Sequence, residues 1–254
     1  MAIPRRPDLP EPHLPGELPP ATWRAIEALP LGLIVLGAVS VIGLALLFLF
    51  PSASGETGDA SPAFFAFANL AQQVLLIAGV AIWIRFVSHG RLATLAVPPR
   101  RWSDPLVGML TGLVLIFVAL AVSSAVTSLV TLVVGHTPSA PEQIPKDVNG
   151  ALLAVSGVVV VVLAPTAEEM FFRGFLYRGL RRRFGMWPSA LISGGFFGLV
   201  HFAGVSFLLI IPSLVLVGVG LAWIYERRGS LIAPIAAHAT FNLLGFLAIL
   251  ADRR

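Results

Sequence analysis

The sequence predicts an all-α, polytopic transmembrane helix bundle of about seven spans around a polar cavity near the middle of the membrane. Three observations lead there. Of 254 residues, 57% are hydrophobic and only 12% are charged, with a mean hydropathy of +0.89, whereas soluble domains carry about 25% charged residues. Apolar runs long enough to cross a hydrocarbon core of about 30 Å recur along the chain. Finally, Glu168, Glu169 and Arg173 sit inside such a run, where a charge costs about 3 kcal/mol or more, so such residues face a cavity rather than lipid.

The elements follow in order. Residues 1–28 form a polar leader with prolines at 4, 7, 10, 12, 15, 19 and 20; proline at that density cannot hold a helix, and the leader reads as a disordered, solvated tail. The first apolar segment after it is long enough to span and has no signal-peptide form. Spans are expected at 30–50, 63–87, 105–135, 150–178, 187–203, 206–225 and 230–250. The pair at 187–225 is short and broken only by Ala203-Gly204-Val205, as in a hairpin or re-entrant element. Residues 136–149 are polar and contain Pro138, Pro141 and Pro145, which marks a loop. It divides a front set of helices, 29–149, from a back region, 150–254, that carries the chemistry-bearing residues.

Charge sets the orientation. With a cytoplasmic N-terminus, Arg5, Arg6, Arg24, Arg85, Arg91, Arg100, Arg101, Arg178, Arg181, Arg182, Arg183, Arg227 and Arg228 fall inside, and only Lys146, Arg253 and Arg254 outside. That is a positive-inside bias, with the C-terminal arginine pair discordant. The net charge of +4 is spread in short clusters between spans, not gathered into a patch, so no nucleic-acid partner is expected. The partners implied are the lipid bilayer and a membrane-anchored peptide or protein substrate. The absence of cysteine excludes disulfides, thiolate catalysis and Cys-based metal sites.

Three clusters carry the chemistry. Glu169 and Arg173 are spaced i, i+4 and share a helix face as an ion pair, which leaves Glu168 free. A carboxylate in apolar surroundings is suited to take a proton from water. His201 stands one turn after Phe197, which packs beneath it. His238 and Asn242 are also i, i+4 and point a ring and an amide to one side. Together these groups offer a general base, a second proton-handling group and donors to a developing oxyanion. There is no His-Glu-x-x-His and no Gly-x-Ser-x-Gly, so zincin and serine-hydrolase chemistry lack their motifs. Gly58-Asp59 lies in an acidic loop unsuited to aspartyl catalysis. His13, His89 and His136 fall in the tail or loops and receive no role.

Glu-Glu-x-x-x-Arg at 168–173, Phe-x-x-x-His at 197–201 and His-x-x-x-Asn at 238–242, in this order within hydrophobic helices, resemble the CPBP (Abi) family of intramembrane endopeptidases. That family includes the Rce1-like type II CAAX prenyl proteases and relatives linked to bacteriocin immunity. The resemblance implies a multi-pass enzyme of a bacterial plasma membrane that hydrolyses a peptide bond in a membrane-associated, CAAX-type substrate. It makes Glu168 the carboxylate that activates water, His201 its partner at that water, and His238 with Asn242 the oxyanion donors. Glu169 and Arg173 are then mainly structural. The family is described both as metalloprotease-like and as a metal-free glutamate-and-histidine system. Both options stay open here: Glu168, His201 and His238 make a His₂Glu set for zinc with one open position, or bind water directly. Two rival readings use the same residues. A proton-coupled transporter would use them as a relay, against which the halves show no repeat; a non-catalytic immunity or scaffold protein would keep the site without using it.

Overall fold

A computed structural model describes residues 21, 23, 26, 27, 30, 31, 33, 34, 37, 38, 41, 61–87, 89, 95, 101–138, 144–202 and 204–253. The leader prolines, His13, Asp59 and most of the first predicted span lie outside them; the described positions between 26 and 41 are helical. Among the described residues the chain is all helical, in six further elements. These are α1 (Pro62–Val87), α2 (Asp104–Val134), α3 (Gly150–Arg181), α4 (Met186–Leu199), α5 (Ile211–Arg228) and α6 (Ile232–Asp252). By length and hydropathy α1, α2, α3 and α6 can each cross a membrane.

Local chemistry explains the boundaries. Ser61 caps α1 by accepting from Phe64 N at 3.3 Å, with Pro62 at the first helical position, where its missing N–H is harmless. Gly135 and Gly229 end α2 and α5 in the left-handed conformation, at φ 83° and 63°. The predicted 206–225 span instead begins at Ile211: residues Val205–Leu209 tighten into a 3₁₀ turn, and Pro212 opens the α-helix behind it. α4 has 14 residues, about 21 Å of rise, and the chain leaves it just before His201.

Small residues set the packing. In α2, a Cβ on Gly108 or Gly112 would overlap the carbonyl oxygens of Ala233 and Ala237, so α2 and α6 run parallel with their backbones in contact. α4 and α5 pack antiparallel in the same manner, since a Cβ on Gly218 would lie 2.7 Å from Gly194 Cα. α6 runs against α3: His238 meets Glu169, Asn242 meets Val160, and the Phe246 ring covers Gly157. The helices α2 to α6 therefore alternate in direction.

Charges tie the two ends. At one, Arg228 bonds Asp104 Oδ1 at 2.7 Å and Ser103 Oγ at 2.7 Å, and Glu226 accepts from Tyr177 OH at 2.6 Å and from Arg181 Nη2 at 2.9 Å. At the same end Arg182 donates to Ala21 O at 3.1 Å, and Trp23, fully buried, donates through Nε1 to Phe175 O at 2.8 Å. At the opposite end Arg253 donates to the carbonyls of Ile144, Pro145 and Val148, at 2.8, 2.8 and 2.5 Å. The Arg253 guanidinium thereby closes the loop before α3.

Candidate active site

α3 is not a uniform α-helix. It widens to π geometry at Val159–Leu163 and again at Met170–Tyr177, and the six residues between, Ala164–Glu169, hold both glutamates. Such π segments recur at functional sites because the wider turn re-aims side chains.

Glu169 and Arg173 form the expected pair, at 2.6 Å and with both side chains fully buried. Arg173 also donates to Gly218 O at 2.9 Å and lies 4.8 Å over the Phe197 ring, so it fastens α3 to the α4–α5 pair. Glu169 does more than the sequence suggests. Its Oε1 also accepts from His238 Nδ1 at 2.9 Å, an ion-paired carboxylate fixing which imidazole nitrogen carries the hydrogen.

His201 is fixed in the same way. Its Nδ1 lies 2.6 Å from Phe197 O, and a carbonyl only accepts, so Nδ1 carries the hydrogen here too. Both rings thus turn Nε2 to the same place. Glu168 Oε2 lies 3.9 Å from Nε2 of His201 and 3.9 Å from Nε2 of His238. This oxygen is buried and has no hydrogen-bond partner among the described residues. Phe197, packed beneath His201 as expected at a ring separation of 4.9 Å, also meets the His238 ring edge-on at 5.4 Å, so one aromatic side chain supports both imidazoles.

The gap has a size that can be interpreted. A separation of 3.9 Å is too long for a direct hydrogen bond, and a water about 2.8 Å from each atom closes it. Tetrahedral zinc, with ligands at about 2.0–2.1 Å, holds its ligand atoms about 3.4 Å apart. The donors suit zinc in type but stand too far apart, and among the described residues no three His, Asp or Glu groups are gathered closely enough to hold a metal ion.

Asn242 stands slightly apart. Its Nδ2 donates to Val160 O at 2.7 Å, in the first π segment and two turns before Glu168. One amide hydrogen is thereby engaged with the helix that carries Glu168. A cavity of 70 Å³ opens beside Glu168 and His201. Its wall includes Gln72 of α1, a residue the sequence reading passed over. The signal was present: Gln72 and Gln73 are adjacent amides inside an apolar span, and polar side chains at that depth are exceptional.

Comparison with known proteins bears on the same stretch. Residues 150–244 match the family model described as type II CAAX prenyl endopeptidase, Rce1-like. The segment bearing Glu168, His201, His238 and Asn242 is therefore Rce1-like, as the three motifs led us to expect. An Escherichia coli protein described as an uncharacterized 24.3 kDa protein is 34% identical over 92 residues, which is 35% of this chain and 42% of that relative. The chain thus spans about two fifths of the length of the curated relative it matches. No solved structure matches the chain. Four helices able to cross a bilayer, together with the Rce1-like segment, make this an integral membrane protein.

Proposed function

We propose that the protein is an intramembrane endopeptidase that hydrolyses a peptide bond in a membrane-associated substrate with water activated by Glu168. One observation carries the reading: a buried carboxylate oxygen without a hydrogen-bond partner among the described residues, equidistant from the free nitrogens of two histidines whose other nitrogens are already engaged. The Rce1-like match supports it.

In this mechanism water sits between Glu168 Oε2 and the two Nε2 atoms, giving one hydrogen to Glu168 and the other to one imidazole at a time. Glu168 takes one proton as the water oxygen bonds to the substrate's carbonyl carbon, and the π electrons of that carbonyl move to its oxygen. The second amide hydrogen of Asn242 stabilises that oxyanion, and His238, an acceptor at Nε2 in this tautomer, helps to hold the water. Collapse breaks the C–N bond, and the departing amine takes the proton that Glu168 holds. His201 keeps the water aligned. Glu169 acts through His238, and Arg173 neutralises Glu169. The spacing supports water as the bridging species, so no step passes through zinc.

The reading extends to placement. Seven spans, counting the 30–50 segment and the α4–α5 pair, would put the N-terminus and the Arg181-Arg182-Arg183 cluster on the cytoplasmic face of a bacterial plasma membrane. They would also put the cavity near mid-membrane. A CAAX-type prenylated tail would reach such a site from the bilayer.

The test is cleavage of a panel of prenylated and unprenylated membrane peptides by purified wild type, Glu168→Gln and His238→Ala. Cleavage lost in both variants supports the mechanism. Cleavage that survives Glu168→Gln refutes it, and proton-coupled flux in vesicles without cleavage would favour a transporter.

A further inference from the structure

The Rce1-like match begins at residue 150, yet the wall of the cavity beside Glu168 is completed from outside that segment, by Gln72 and Leu76 of α1. These two are one turn apart and share a helix face. Leu76 is buried and Gln72 partly so, in a helix whose neighbouring positions are otherwise almost all apolar. Being only partly buried, Gln72 keeps part of its surface on the cavity. Among the described residues no hydrogen bond engages the Gln72 carboxamide, while the cavity has room for several waters or one peptide group. A primary carboxamide offers one acceptor and two donors, and its oxygen can accept from a substrate peptide N–H. Histidine and glutamate cannot supply that pairing while they handle the water.

From this juxtaposition we infer that Gln72 is a substrate-positioning residue: its carboxamide holds a backbone peptide group of the substrate next to the bond presented to Glu168. The inference rests on the endopeptidase reading and gives α1 a part in it. The contact is made to the backbone, so it fixes register without selecting side chains. It is made in ground state and transition state alike, so it acts on KM and leaves kcat largely unchanged.

The experiment uses the full chain in detergent and a farnesylated fluorogenic peptide, with a set of analogues in which each amide near the cleaved bond is replaced in turn by an ester. Gln72→Met removes the amide at similar size. It should raise KM about five- to tenfold, the worth of one hydrogen bond, with kcat within about twofold. Gln72→Asn keeps the amide and should fall between the two. One ester position should raise KM for the wild type by a similar factor and be silent in Gln72→Met, the signature of direct coupling. An unchanged KM in Gln72→Met, or the same ester penalty in both proteins, overturns the inference. Because Gln72→Met could act through folding, peptide binding is also measured by anisotropy in the Glu168→Gln background, alongside thermal stability. Weaker binding at unchanged stability supports the inference, and equal binding refutes it. Failure of the wild type to cleave any peptide counts against the endopeptidase reading, while the binding measurement still decides the role of Gln72.

Discussion

Arg173→Met removes the positive partner of Glu169 at the most enclosed point of the site. Both side chains are fully buried and their contact is 2.6 Å, so water cannot take over the lost interaction. Breaking a buried pair from one side leaves an uncompensated charge and costs about 3–5 kcal/mol. The reciprocal change, Glu169→Gln, strands Arg173 and should cost a similar amount. Combining them should cost far less. The carboxamide that Glu169→Gln introduces still presents a carbonyl oxygen to His238 Nδ1, and the main remaining loss is the donor to Gly218 O, about 1–3 kcal/mol for an unpaired buried acceptor. The coupling energy should therefore exceed about 3 kcal/mol, with the double variant more stable than either single one. Equilibrium unfolding in mixed micelles, followed by tryptophan fluorescence, measures all four corners of the cycle. Additivity within about 0.5 kcal/mol would show that the two residues are not energetically paired and would remove the argument that Glu169 is charged and holds His238. Peptide cleavage gives an independent check: the double variant should recover part of the activity that Arg173→Met loses.

Other expectations follow from contacts elsewhere. Gly112→Ala places a Cβ against the Ala237 carbonyl and 2.9 Å from Thr240 Cβ; α2 and α6 must separate, at about 1–3 kcal/mol, and cleavage should fall because His238 follows Ala237. Gly195→Ala faces open space inside α4 and should leave cleavage unchanged and stability unchanged or raised by up to about 1 kcal/mol, which makes it the control. Trp23→Phe deletes the donor to Phe175 O and should lower unfolding stability by about 1 kcal/mol with KM intact; an unchanged stability would show that the contact is energetically idle. A strong zinc chelator should leave cleavage within about twofold, given the 3.9 Å separations. Activity lost to the chelator and restored by added zinc would overturn the water-centred geometry.

What was legible in the sequence is what hydropathy and helical spacing encode. Boundaries of α1, α2, α3 and α6 fall within a few residues of the predicted spans, since each is a long apolar run with a proline, serine or glycine at an end. The i, i+4 rule placed Glu169 on Arg173 and Phe197 beneath His201. It could not place His238 on Glu169, because that contact joins residues 69 positions apart and depends on the register of α6 against α3. Asn242 shows the same limit. Helical spacing puts it on the His238 side of α6, but the π segment of α3 brings Val160 O within reach of its amide. A π turn has no hydropathy signature. Gln72 lies in the front set of helices, outside the three motifs of the back region, and no charge marks it within its apolar run.

The π segments also account for how the helix on either side of Glu168 is tied to its neighbours. A backbone carbonyl has two lone pairs, and in π geometry the carbonyls tilt enough to meet donors from neighbouring elements. Asn242 donates to Val160 O before the glutamates, and Ser193 and Trp23 donate to Phe172 O and Phe175 O after them. The three donors come from α6, from α4 and from the stretch preceding the first helical positions, and each bonds to α3 backbone. A side chain can be replaced without moving a backbone atom, but these bonds fix the helix itself on both sides of Ala164–Glu169. His201 and His238 are anchored to α4 and to Glu169 by their Nδ1 atoms, so the Nε2 atoms and Oε2 are positioned by three separate elements and not by contact with one another. The gap of 3.9 Å between Oε2 and each Nε2 is one that a single water can span, which suits three acceptors held on separate elements.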